Sequence, residues 1–156
     1  MRRVLLASVL LLSAAAAVAE VPNFSGTWKL DRDLTTADMK WDKTDTLVVR
    51  QSDNEVSFEY FDRDGHPLGT NTFTTDDVER AWYKTRMERA WARAEWERGK
   101  LVIVSRVNLD LQGYQYYNGL ETWELSPDGK TLTNRLRDGK VIVYEKLSDA
   151  PVAPGP

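Results

Sequence analysis

The chain has 156 residues, no cysteine, a single histidine and a formal net charge of −3. That length fits one compact domain and is short for an enzyme with separate cofactor and substrate lobes. The missing cysteine excludes disulfides, thiol nucleophiles and thiolate metal sites. The lone His66 excludes paired-histidine zinc sites, and the acidic balance gives no electrostatic footprint for nucleic acid. What remains is a small aromatic-rich domain, with 6 Trp, 6 Tyr and 4 Phe, and no residue set that implies a cofactor.

Residues 1–19 read as an address. Met1-Arg2-Arg3 is a short basic start, the run to Val18 is apolar, and Ala17-Val18-Ala19 is a small-residue cleavage signature. This is the layout of a secretory signal peptide, with cleavage expected between Ala19 and Glu20 and the mature protein in the periplasm or secreted. The apolar run is shorter than the roughly 20 residues a spanning helix needs. Residues 20–147 read as one domain, and residues 148–156, rich in proline, as a disordered tail.

Within the domain the dominant signal is short alternating segments separated by turn residues. Strands are expected at Ser25 to Leu30, Asp45 to Gln51, Glu55 to Phe61, Leu68 to Thr75, Glu88 to Glu97, Leu101 to Val107, Tyr117 to Leu125, Thr131 to Arg137 and Lys140 to Lys146. A capping-box-like Thr35-Thr36-Ala37-Asp38 predicts one helical turn between Leu34 and Trp41. Asp76 to Met87 favours helix by composition but lacks an apolar stripe, and its state stays open. Asp62 to Gly65, Arg98 to Lys100, Ser126 to Lys130 and Arg137 to Lys140 carry hairpin chemistry. Hairpins join antiparallel neighbours, so the chain is expected to be all-β, an up-and-down meander of about 8–10 strands that closes on itself.

Gly26-Thr27-Trp28, on the first strand just after the signal segment, resembles the G-x-W signature of the lipocalins and wider calycins. Three further blocks follow in order: Trp96 with Gly99 to Ile103, Trp123 with Leu125 to Thr133, and Tyr144-Glu145-Lys146. Together they resemble small exported bacterial lipocalin-like proteins across nearly the whole domain. The resemblance implies a calycin barrel in which a basic side chain of a late strand stacks over Trp28 at the closed end. Arg135, Arg137 and Lys146 are the candidates, with Arg135 favoured for its mid-strand position.

Alternation puts Val56, Phe58 and Tyr60 on one face, and Ala90, Ala92, Ala94 and Trp96 on another. Both faces are expected to line the barrel. Aromatic walls with small residues between them suit a small, mainly hydrophobic or aromatic guest. Phe58, Tyr60, Trp96 and Trp123 are the expected contacts, with Arg106 or a tyrosine hydroxyl orienting the ligand and Tyr114 and Tyr116 at the mouth. Whether the lumen is open or filled is not decided by sequence.

Two other functions remain in view. One is a filled barrel acting as a protein-interaction or inhibitor module in the cell envelope, through Trp91 and Tyr114 to Tyr117. The other is a calycin-type cyclase or decarboxylase. It would need a buried carboxylate of raised pKa, for which Glu121 is the candidate because it shares a face with Trp123. Asp62 and Asp64 resemble the start of a calcium loop but lack its later ligands, and His66 reads as an exposed turn residue.

Overall fold

The computed structural model describes residues 20–39, 43–84, 88–109 and 115–155. Tyr114 lies outside them, as do residues 1–19, and the side chains of Tyr116 and Tyr117 are likewise not described. The architecture is all-β. Ten antiparallel strands run β1 Gly26–Asp31, β2 Thr46–Gln51, β3 Glu55–Phe61, β4 Pro67–Thr74, β5 Arg80–Lys84, β6 Glu88–Glu97, β7 Lys100–Leu109, β8 Gln115–Leu125, β9 Thr131–Leu136 and β10 Val141–Ser148. Their order around the sheet is β4-β3-β2-β1-β10-β9-β8-β7-β6-β5. Consecutive strands pair as hairpins, and β1 and β10 join the two ends of the chain.

The sheet is a nearly closed barrel, interrupted where β4 faces β5 without ladder hydrogen bonds. That gap is bridged by Phe73 against Trp82, ring centroids 5.7 Å apart, and by Asp77 N–H donating to Ala94 O at 2.9 Å. The undecided segment is a loop and a strand over residues 76–84, and residues 85–87 lie outside the described residues. Arg80 to Lys84 has helix-favouring composition, but pairing with the long β6 supplies its backbone partners and overrides that preference. No helical turn forms among the described residues of 32–39. Instead Thr36 N–H and Ala37 N–H donate to Val141 O, and the Thr35 and Thr36 hydroxyls accept from Val143 N–H and Val141 N–H. The threonines cap the start of β10 rather than a helix. Among the described residues no helix is long and apolar enough to cross a membrane.

Two glycines are fixed by backbone geometry. Gly26 has φ +149°, and a Cβ there would meet Ser148 O at 2.6 Å, so the glycine of G-x-W lets β1 lie against the end of β10. In the β6–β7 turn Arg98 and Gly99 both have positive φ, 50° and 78°. This is the mirror-type turn whose twist matches two long antiparallel strands.

One end of the barrel is plugged. Phe24 and Trp28 have no exposed surface, Trp28 Nε1 donates to Phe24 O at 3.0 Å, and Phe24 meets Trp96 edge-on at 5.0 Å. Gln51 ties the preceding segment down through Phe24 N–H and Pro22 O. The cation over Trp28 is Lys146, with Nζ 4.8 Å from the ring centroid. It lies directly opposite Trp28 in the β1–β10 register. Arg135 is not in this role. On β9 the inward positions are Leu132 and Asn134, both buried, so Arg135 between Asn134 and Leu136 points outward and is exposed. Lys146→Met, which keeps the apolar stem, is expected to cost about 1 kcal/mol in urea unfolding. Arg135→Met should change stability by less than about 0.5 kcal/mol.

β10 continues through Ser148, and the proline-rich residues that follow include a tight turn in which Val152 N–H donates to Ala150 O at 2.9 Å. The Thr27 hydroxyl donates to Ala150 O or Val152 O and accepts from Val152 N–H. Further on, Gly155 comes so close to the β3–β4 turn that a Cβ on Gly65 would meet its carbonyl at 2.6 Å. Thr27, Val48 and Phe61 are buried although they stand outside the interior cluster, and Val48 lies opposite Thr27 in the β1–β2 register. Ending the chain after Ser148 should expose Val48 and Phe61 and lower the unfolding free energy by about 2–4 kcal/mol in urea titration.

Candidate functional site

The interior divides into a packed half and an open half. Near the plug, Leu47, Val49, Val56, Leu101, Ile103, Leu132, Ala92 and Ala94 close the lumen. Above them an aromatic layer crosses the barrel. Phe58 stacks on Trp123 at 4.5 Å, and Trp123 on Tyr144 at 6.2 Å with an interplanar angle of 17°. Phe73 meets the edge of this layer through Phe58. Beyond it lies a cavity of about 780 Å³, bounded by Trp123, Tyr144, Tyr60, Glu121, Asn134, Asn71 and Ile142. Asp38, Lys43 and Thr44 of the β1–β2 loop, with Leu68 and Gly69 of β4, contribute its remaining walls. That volume falls in the range of small-molecule sites.

The most unusual group in the cavity is a carboxylate. Glu121 and Trp123 are two apart on β8 and therefore point the same way. Glu121 Oε2 accepts hydrogen bonds from Trp123 Nε1 at 3.2 Å and from Asn134 Nδ2 at 3.0 Å. Asn134 arrives from β9, opposite Trp123 in the ladder. Burial raises the Glu121 carboxyl above its ordinary value of 4.5, because the two neutral donors only partly offset the lost hydration. Asn134 is 4% exposed, and its Oδ1 has no hydrogen-bond partner among the described residues. A buried acceptor left unpaired carries a penalty of about 1–3 kcal/mol.

The expected ligand contacts fall into distinct places. Tyr60 and Trp123 line the cavity. Phe58 supports it from beneath, within the packed half. Trp96 lies at the plug with Phe24 and does not reach the cavity. Arg106 is on the outer face. Its guanidinium pairs with Glu79 at 2.6 Å and stacks 4.6 Å over Trp91. It therefore does not orient a ligand in the lumen. The same stack covers Trp91, which is half-buried rather than an open contact surface. Asn71, Asn134, Gly69 and Tyr144 are cavity residues that the sequence reading did not single out. For Asn134 a signal existed, since it shares strand parity with Leu132 and Leu136.

The Asp62, Asp64 and His66 side chains come together at the β3–β4 turn, within 4.8 Å of one another. Asp62 Oδ1 accepts from Asp64 N–H and His66 N–H, and Oδ2 lies 3.3 Å from His66 Nδ1. The arrangement is that of an Asx-type hairpin closure, with its acceptors used by the turn itself.

Ten antiparallel strands with this closure, a plugged end and an open half-lumen define a nearly closed, up-and-down antiparallel β-barrel. Comparison with solved structures agrees on the fold. A crystal structure of a point variant of the fluorescent protein UnaG superposes with a TM-score of 0.54 at 19% identity, covering 80% of this chain and 96% of that one. A second variant gives 0.52 at 20% identity, with coverage of 79% and 95%. Wild-type UnaG gives 0.52 at 18% identity, with coverage of 79% and 96%. No family model and no curated protein matches the chain.

Glu121→Gln gives a pH-dependent test of the site. A carboxyl whose folded pKa is raised contributes its full stability below the unfolded value, and that contribution is lost as pH rises through the folded value. The glutamine variant lacks this loss. Its stability relative to wild type is therefore expected to rise with pH, beginning near 4.5 and levelling off above the Glu121 midpoint, as read by urea titration across that range. A constant difference between the two proteins would show that Glu121 titrates normally.

Proposed function

We propose that the protein is an exported binding protein that holds a small, mainly hydrophobic molecule in the open half of its barrel. The observation that carries this reading is the cavity of about 780 Å³ above a continuous Phe58-Trp123-Tyr144 layer. A lumen meant only as structural core would be packed throughout, as the lower half is. Export is supported by the basic-apolar-cleavable pattern of residues 1–19.

The interaction-module reading loses support at Trp91, whose ring lies beneath Arg106. The enzyme reading keeps one feature, the raised pKa of Glu121. Burial and an unpaired Asn134 acceptor suit ligand recognition equally, and the cavity favours binding over catalysis.

The test is native mass spectrometry of the protein purified gently from the exported fraction of its own host. A co-purifying species of defined mass is expected. Gly69 offers the control. It pairs with the inward Tyr60, and a Cβ there meets nothing within 4 Å. Gly69→Phe should place a ring in the cavity, keep the fold and eliminate the bound species. A clean apo mass in both proteins would turn the weight to the filled-barrel module.

A further inference from the structure

The cavity is chemically one-sided. Asn134 Oδ1 is buried without a partner. Glu121 takes both of its hydrogen bonds on Oε2, which leaves Oε1 without one among the described residues. Trp123, Tyr60 and Tyr144 line the same cavity and carry no positive charge. Opposing positive charge is scarce. Arg106 and Arg135 point outward, and Lys43, in the β1–β2 loop beside Asp38, is the one cation among the described lining residues.

Each candidate ligand chemistry meets this surface differently. A carboxylate would face the Glu121 carboxylate, and like charges repel. A neutral amide or alcohol could donate to Glu121 but would leave its charge uncompensated. A protonated amine supplies both donors and a counter-charge to Glu121.

We propose that the ligand is an organic cation. It is a primary or secondary ammonium on an apolar, ring-sized body, its N–H groups on Glu121 Oε1 and its body along the apolar wall of the cavity. This rests on the cavity being a binding site. Glu121 then fixes which end of the guest enters first, and the aromatic layer sets how deep the body reaches.

The experiment is calorimetric titration of the purified protein with three probes that share one ring system: 1-naphthylmethylamine, 1-naphthalenemethanol and 1-naphthoate. The amine is expected to bind wild type at least about tenfold more tightly than the alcohol, with the naphthoate weakest. Glu121→Gln should bring the amine-to-alcohol ratio to within about twofold of unity. Amine affinity should fall as pH is lowered through the Glu121 midpoint. The other titratable or charged groups on the cavity walls are Asp38, Lys43, Tyr60 and Tyr144. Glu121→Gln removes the pH effect only if Glu121 is its source. If the alcohol or the naphthoate binds as tightly as the amine, the cation assignment is overturned while the binding site stands. If no probe binds, both readings fall together.

Discussion

The pairing of β1 with β10 is the contact on which the rest of the barrel depends. It is the most non-local of the strand pairings and the one that turns a linear meander into an enclosure. Its register shifts between Thr27 and Trp28, at the point where Gly26 lies against the Ser148 carbonyl. That irregularity sends Trp28 inward and sets Lys146 across from it. The ring then receives a cation on its face and gives its N–H to Phe24 O. A side chain at residue 26 would push the end strands apart. The plug, the aromatic layer above it and the depth of the cavity are all referred to that one approach.

Closure also explains the outer segment. A central strand with apolar residues on both faces, such as Leu47-Val48-Val49 in β2, needs a cover on each side. The lumen covers Leu47 and Val49. Val48 is buried opposite Thr27, whose hydroxyl holds the chain's last residues by bonding the backbone on both sides of Pro151. Proline suits that run, because a strap with few partners gains from a stiff backbone and loses little from a missing N–H.

Much of the fold was legible because alternation and turn chemistry agree. The strands from Glu55 to Phe61 and from Glu88 to Glu97 fall where period-two patterning places them, and the Glu121–Trp123 parity tied the direction of the carboxylate to that of the indole. Other positions were hidden for identifiable reasons. In β7 the run Leu101-Val102-Ile103-Val104 is apolar on both faces, so the direction of Arg106 could not be read from its neighbours. The partner of Trp28 depends on register, which one residue of slip inverts, and register across the chain termini has no local sequence signal. The tail looked disordered because its composition is that of a linker, whereas its order comes from Thr27 and Gly65, remote in sequence. Asn134 escaped notice because polar residues on strands ordinarily face water.

The division of the lumen fits the energetics of a small domain. A chain of this size buries roughly two thirds of its unfolded surface, so little apolar area can be withheld from the core without loss of the fold. Here the withheld part is confined to one end. The Phe58-Trp123-Tyr144 layer separates the two halves, and its lower side is part of the packed core while its upper side is cavity wall. The same rings therefore belong both to the core and to the cavity wall. Glu121 belongs to this boundary. Its carboxylate accepts from the Trp123 indole and thereby fixes the ring that forms the floor. The cost of burying that charge is borne in the empty state, and a guest that brings a counter-charge relieves it. Binding energy is thus available at the one place where the empty protein is least satisfied.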